Sequence, residues 1–366
     1  SGSRKNLHRA LIEGALGVDL GRMHPELKGE AAEPFLPSSP ARHVMIRHTV
    51  GLSDPLDQDD GDSGATGRDD LPVSLMENIE QYRLRYFKIK LSGDRDRDAR
   101  RLERIAKILS SACRGDYRFS LDGNEQFGSV DAFRESYEAL RGKSALGDFF
   151  GHLLFVEQPL IRGSSFSEAT AHSLAGWQAS PPIIIDEADE DLESLPQALQ
   201  IGYSGVSHKN CKGVFKGIAN ACLLQRRSMT EPAARFVLSG EDLVNVGPVA
   251  LPQDLTVLAS LGVEHAERNG HHYFRGLSAY SSAFQREVVA RHPDLYALKS
   301  SAGQGGDFAT LRIDDGTLKI GSLIDGPFGL DLAPPTQEMT PLEEWDTGDF
   351  LARVERSQHS PPNHRD

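Results

Sequence analysis

Positive charge is what this chain is short of. Forty lysines and arginines face 53 aspartates and glutamates among 366 residues, a formal net charge of −13. A surface of that sign repels phosphate backbones and anionic headgroups, so nucleic acid and membrane are disfavoured as partners, and small molecules or metal cations are left. Cysteine is scarce too. Cys113, Cys211 and Cys222 are unevenly spaced and form no CxxC pair, which gives no sign of a disulfide framework or a zinc knuckle and makes a reducing cytoplasm the expected location. Long apolar runs are missing as well. No stretch approaches the length of a membrane-spanning helix, and the opening "SGSRKNLHRA" lacks the apolar core of a secretory signal. What remains, 39% hydrophobic and 25% charged residues, suits a soluble globular protein with a large core.

The pattern within that composition is alternation. "FKIKLSGDRD" puts Lys88 and Lys90 on one side of a strand and Phe87, Ile89 and Leu91 on the other. "DRDARRLERIAKILSSAC" follows, with Leu102, Ile105, Ala106 and Leu109 at helical spacing. Strand-like "YRFSLDGNEQF" then precedes helix-like "SVDAFRESYEALRG". The order repeats through "HLLFVEQPL", a helix around 165 to 177, "PPIIIDEA", "LESLPQALQIG", "SGVSHKNC" and "FKGIANACLLQRR". Near-continuous apolar strands alternating with helices predict a parallel sheet covered on both faces.

Polar residues at the strand ends set the repeat. From Lys90 to Asp122 is 32 residues, with 35 more to Glu157, 29 to Asp186 and 23 to Lys209. Steps of about 30 residues are those of a (β/α)8 barrel, whose chemistry sits at the C-terminal strand ends. "HVMIRHTVGL" reads as the first strand, "ARFVLSGEDL" as the seventh and the segment near "RNGHHYF" as the eighth. Singly, Asp122 reads as a turn residue, Glu157 as a strand-end charge and Asp186 as part of a solvated acidic run. On three consecutive strands they converge on one mouth, and oxygen-only ligation suits Mg²⁺. "KIK" alone would be a solvated edge strand, and Lys209 competes with Lys212 and Lys216 as one lysine of a loop.

With "KIK" at 88 to 90, "LDGN" at 121 to 124, "VEQPL" at 156 to 160, "IIDEA" at 184 to 188 and "SHKNCKG" at 207 to 213, the chain resembles the enolase superfamily, in particular its muconate-lactonizing-enzyme and mandelate-racemase-like barrels. The close resemblance covers about half the chain. It implies Mg²⁺ on Asp122, Glu157 and Asp186, and Lys90 and Lys209 as acid/base groups on opposite faces of a small carboxylate substrate, with Lys88 tuning Lys90. Such a base must be pushed below its ordinary pKa of about 10.4, and a neighbouring ammonium does that. Asn124 and Glu187 are candidates for supporting the metal, and Glu241, His265, His271 and His272 for substrate contact. "VLSGEDL" offers no acid/base histidine of the mandelate-racemase type, and "RNGHHYF" replaces the Asp-x-Asp expected of dipeptide epimerases.

The expected architecture is α/β: a (β/α)8-type barrel at 41–295, an incomplete α+β capping domain made from residues 1–40, and a C-terminal segment at 296–366 that returns to the cap and ends in a flexible tail. Within that segment Asp314-Asp315-Gly316 reads as a turn between two β-rich runs, and 53–70 as a mobile loop. The expected reaction is racemisation or epimerisation. A lyase reaction, dehydration or cycloisomerisation, and a non-catalytic barrel that binds or builds are the alternatives. A homo-oligomer is compatible with the sequence.

Overall fold

The structure is a computed structural model and describes residues 5–60, 71–242, 245, 247–300, 306–326, 328, 332–333, 335–339 and 341. Most of the loop expected to be mobile, 61–70, and the tail beyond 341 lie outside the described residues. Eight parallel strands close on one another: β1 His43–Val50, β2 Tyr86–Lys90, β3 Arg118–Asp122, β4 Leu153–Glu157, β5 Ile183–Ile185, β6 Gly205–His208, β7 Val237–Glu241 and β8 His265–Arg268. Each pairs with the next, and β8 pairs back onto β1, which makes the sheet a barrel. The strand order is that of the sequence, as right-handed βα crossovers require.

Two short helices, α1 Leu7–Ile12 and α2 Leu20–Met23, precede the barrel. Helices α3 Leu75–Tyr82, α4 Arg95–Ala112, α5 Val130–Arg141, α6 Glu168–Ala175, α7 Ser194–Ile201, α8 Val214–Thr230 and α9 Ala250–Leu261 each follow a strand in turn, and α10 Gly270–Tyr273 and α11 Ser282–Arg291 follow β8. Their starts are written in short polar side chains: Asp94 caps α4, Ser129 caps α5 and Ser74 closes a capping box with Glu77 at α3, each satisfying backbone N–H groups that the first turn leaves free. The main core lies between barrel and helices, where Phe87, Ile89, Phe119, Leu121, Val156 and Val206 point outward from their strands and are fully buried.

The residues before β1 pack on the outer layer: α1 lies against α9 and α2 against α8, and the buried His24 and Asn220 side chains meet at 2.8 Å. After α11 come a hairpin of β9 Tyr296–Lys299 and β10 Phe308–Leu311, a second hairpin of β11 Ile313–Asp314 and β12 Thr317–Lys319, and α12 Gly321–Asp325. The expected turn is there, with Asp315 and Gly316 both at positive φ. Strand β12 pairs antiparallel with the beginning of β1, His43 to Met45, at the barrel end away from the C-terminal strand ends. The described residues from 333 onward belong to a separate unit, in which Thr336–Glu338 make one turn of 3-10 helix. No helix among the described residues is long and apolar enough to cross a membrane.

The eighth strand differs from its expected position. It is "HAER" at 265–268, and "NGHHY" after it turns into α10. The strand carries no apolar run, because His265 and Glu267 face the barrel interior and only Ala266 contributes to the outer core.

Candidate active site

Strand alternation decides what fills the barrel. The outward residues above force Lys88 and Lys90 inward from β2, Asp122 from β3, Glu157 from β4, Glu241 from β7 and Glu267 from β8. Asp186 and Lys209 stand one residue past β5 and β6. Strand pairing sets Lys90 beside Asp122, Asp122 beside Glu157 and Glu241 beside Glu267. All the carboxylates and lysines expected at the site therefore share one end of one barrel.

Lys88 is the centre of the inner group. Its side chain is 3% exposed, and its Nζ lies 2.9 Å from Asp122 Oδ2, 3.2 Å from Glu157 Oε2 and 2.5 Å from Glu267 Oε2. Burial works to lower its pKa, but Glu157, Glu267 and Asp122 outweigh it and hold it well above the ordinary value. It is a fixed ammonium. Glu267 also accepts from the Thr49 hydroxyl at 2.6 Å. Burial would raise its pKa; Lys88 and Arg47 bring it down to about 2.

Two lysines reach outward toward the mouth. Lys90, 31% exposed, is 3.5 Å from Asp122 Oδ2 and donates to Asn124 Oδ1. Asn124 in turn donates to Glu187 Oε1 at 3.1 Å, and its backbone N–H donates to Asp122 Oδ1 at 2.9 Å. Lys209, 16% exposed, sits 3.0 Å from Asp186 Oδ2 and 2.7 Å from Glu241 Oε2. Burial pulls its pKa down, yet Asp186 and Glu241 carry it above the ordinary value. The lowered pKa expected of a lysine base is thus reversed at Lys209, because its nearest charged neighbours are carboxylates rather than ammonium groups. Lys212 is committed elsewhere: it donates to Asp186 Oδ1 and the Asp186 carbonyl, both at 2.7 Å, and to the Ser207 carbonyl at 3.0 Å.

The carboxylates are not equally served. Asp186 is held below the usual carboxylate range, since Lys212 and Lys209 overcome the upward push of burial. Glu157 is fully buried, and beyond the ion-pair approach of Lys88 neither of its carboxylate oxygens accepts a hydrogen bond among the described residues. Burial lifts it to about 8 against the pull of Lys88, with Asp186, Asp122 and Glu267 adding to the rise. Glu241 is lifted to about 7, by burial and Glu267. Among the described residues, Glu157, Glu241 and Glu267 form a group whose acidic oxygens lie within 4.8 Å of one another. Glu157 is common to this set and to the expected set of Asp122, Glu157 and Asp186.

Sequence reasoning missed three residues here. Glu267 lay on a strand without an apolar signature. Arg47, from β1, fills the barrel beneath the carboxylates, where it donates to Ser239 Oγ at 2.7 Å and lies over the Phe155 ring at 5.0 Å. Gln158, the residue after Glu157 in "VEQPL", accepts from the backbone N–H of Asp186 at 2.8 Å and of Ala188 at 3.1 Å, and so ties the end of β4 to that of β5. The glutamine in that motif was the available signal. In the other direction, His271 is not brought to the mouth: it packs on His48, whose side chain leaves β1 on the opposite side from Arg47 and Thr49. His265 faces inward but lies low in the barrel, 3.2 Å from Arg47.

No family model and no curated protein matches the chain. Among solved structures it is similar to a dipeptide epimerase from Enterococcus faecalis (17% identity, TM-score 0.43, 64% of this chain and 60% of that one). It is also similar to a 2-chloromuconate cycloisomerase from Rhodococcus opacus (15%, 0.44, 77% and 62%) and an N-succinyl Arg/Lys racemase from Bacillus cereus (16%, 0.44, 69% and 58%). The chain spans about three fifths of the length of each.

Proposed function

We propose that this barrel is a Mg²⁺-dependent enzyme that removes the proton α to a carboxylate of a small substrate, and that it racemises or epimerises that centre. One observation carries the reading. Lys90 and Lys209 approach a single carboxylate-lined mouth from β2 and from the end of β6, four strands apart and therefore on opposite walls of an eight-stranded barrel. A substrate between them presents one face to each, so one lysine takes the proton and the other returns it.

The donor set fits a hard cation. Both oxygens of Glu157 are buried without a hydrogen bond among the described residues, and burial outweighs its ion-pair neighbour Lys88, so its pKa is raised, which leaves room for a further cation. Asp122, Glu157 and Asp186 would hold the ion, and when bound it would stabilise the negative charge that builds on the substrate carboxylate as the α-proton leaves. Lys88 keeps Asp122, Glu157 and Glu267 in place, and Asn124 accepts from Lys90.

The position of Lys209 between Asp186 and Glu241 supports a second reading. Asp186 and Glu241 keep Lys209 an ammonium, which suits one-base chemistry: Lys90 removes the proton and Lys209 supplies charge, giving elimination or cycloisomerisation. The two are separated by Mg²⁺-dependent exchange of substrate α-protons in D₂O, followed by NMR across acid sugars, N-acyl amino acids and dipeptides. In a racemase, Lys90→Ala abolishes exchange from one enantiomer and Lys209→Ala from the other. In a lyase, Lys90→Ala stops exchange outright and Lys209→Ala only slows it. Full exchange in both variants removes the lysines from the mechanism, and no exchange with any substrate leaves a binding or structural barrel.

A further inference from the structure

We propose a second metal site, for a Zn²⁺-type divalent transition ion, built from His48, His271 and His272 on the outer side of the barrel wall. The three imidazoles come from β1 and from α10, and one ring nitrogen of each lies within 4.8 Å of the others. His48 and His271 are buried, and His272 is half-buried. His48 Nδ1 and His271 Nε2 stand 3.2 Å apart. Two nitrogens bound at about 2.0–2.1 Å to one tetrahedral Zn²⁺ would be about 3.3–3.4 Å apart, so this pair already stands at nearly the edge length of such a site.

Hydrogen bonding alone does not account for the cluster. A neutral imidazole carries one N–H and one lone pair, and the His48–His271 contact uses one of each. Nδ1 of His272 remains buried without a partner among the described residues, although such nitrogens are normally satisfied. The Arg268 guanidinium nearby is matched by its buried ion pair with Asp242. The Asp54 carboxylate, on the loop after β1, acts on His272 with the opposite sign.

Donor chemistry separates this site from the mouth. Imidazole nitrogen selects borderline ions such as Zn²⁺, Cu²⁺ or Ni²⁺, whereas the oxygen-only mouth selects Mg²⁺. An ion here would tie β1 to the segment that leaves β8, across the seam where the barrel closes.

The test uses the full chain, stripped of metal and then saturated with Mg²⁺, titrated with Co²⁺ as a spectroscopic stand-in and with Zn²⁺ by calorimetry. One equivalent of Co²⁺ is expected to give the intense visible absorption of a four-coordinate site, displaced by Zn²⁺ and unchanged in Glu157→Gln. His48→Gln and the more exposed His272→Gln are each expected to weaken binding at least ~10–100-fold, the cost of losing even an indirect support of a metal ligand. Absence of a Co²⁺ signal in the unmodified protein overturns the proposal. So does a signal that survives His272→Gln or disappears with Glu157→Gln, and the latter result would leave the reading of the mouth intact.

Discussion

Replacing Glu157 by glutamine is expected to stabilise the metal-free protein, and to do so more as the pH rises. The folded carboxyl keeps its proton up to about pH 8, whereas its ordinary value is 4.5. Between those values the folded chain holds the extra proton, so the carboxyl's contribution to stability falls as pH rises through the window. Worked from those two values, ionising Glu157 costs the native state about 1 kcal/mol at pH 5 and about 4 kcal/mol at pH 8. Glutamine has the same shape and no charge, so Glu157→Gln should exceed the wild type by a margin that widens over that range. The assay is urea unfolding at several pH values in EDTA. Added Mg²⁺ at about a hundred times its Kd should then raise the wild type by about 2.7 kcal/mol and leave the variant where it was. Because binding must displace the proton, the wild-type affinity should rise with pH. Parallel pH curves for the two proteins, or equal Mg²⁺ stabilisation of both, would refute the account of Glu157 as a buried carboxyl whose ionisation Lys88 alone does not offset.

Asp186→Asn should weaken Mg²⁺ binding at least tenfold by calorimetry while Glu241→Gln changes it little; the opposite ranking would move the ion to the Glu157, Glu241 and Glu267 set. A methyl group at Gly123 would stand 2.4 Å from the Pro159 Cα, so Gly123→Ala should push the ends of β3 and β4 apart and weaken Mg²⁺ binding with the carboxylates themselves unchanged. Asp242→Asn leaves the buried Arg268 guanidinium without its ion pair and should cost about 3–5 kcal/mol in urea unfolding.

The barrel was legible because its outward strand residues are apolar and its helices amphipathic. Ile183, Ile184 and Ile185 or Phe87, Ile89 and Leu91 announce buried strands whatever lies at their ends, and the 122, 157, 186 and 209 positions followed from counting. The eighth strand was harder to find because its only outward apolar residue is Ala266. The same feature hid Glu267, whose importance comes from Lys88, a partner far away in sequence and adjacent only once the barrel closes. Direction was harder still. Nothing in "SHKNCKG" tells that Lys209 lies between Asp186 and Glu241 while Lys212 folds back on the Asp186 carbonyl, since that depends on where each side chain goes after leaving the backbone. His271 was placed near the eighth strand correctly, but a residue on a short helix after the strand can turn either way, and it turned outward.

The three-way pairing of β1 has a consequence for how the chain reaches its native state. Met45 pairs with His265 and His43 with Lys319, so the first strand finds two of its partners only after well over half the chain has been made. Closing such long loops gives a high contact order and slow folding, and until β8 arrives the edge of β1 that it covers stays open to strand pairing with other molecules. During synthesis, the β1 edge is therefore where premature association should begin.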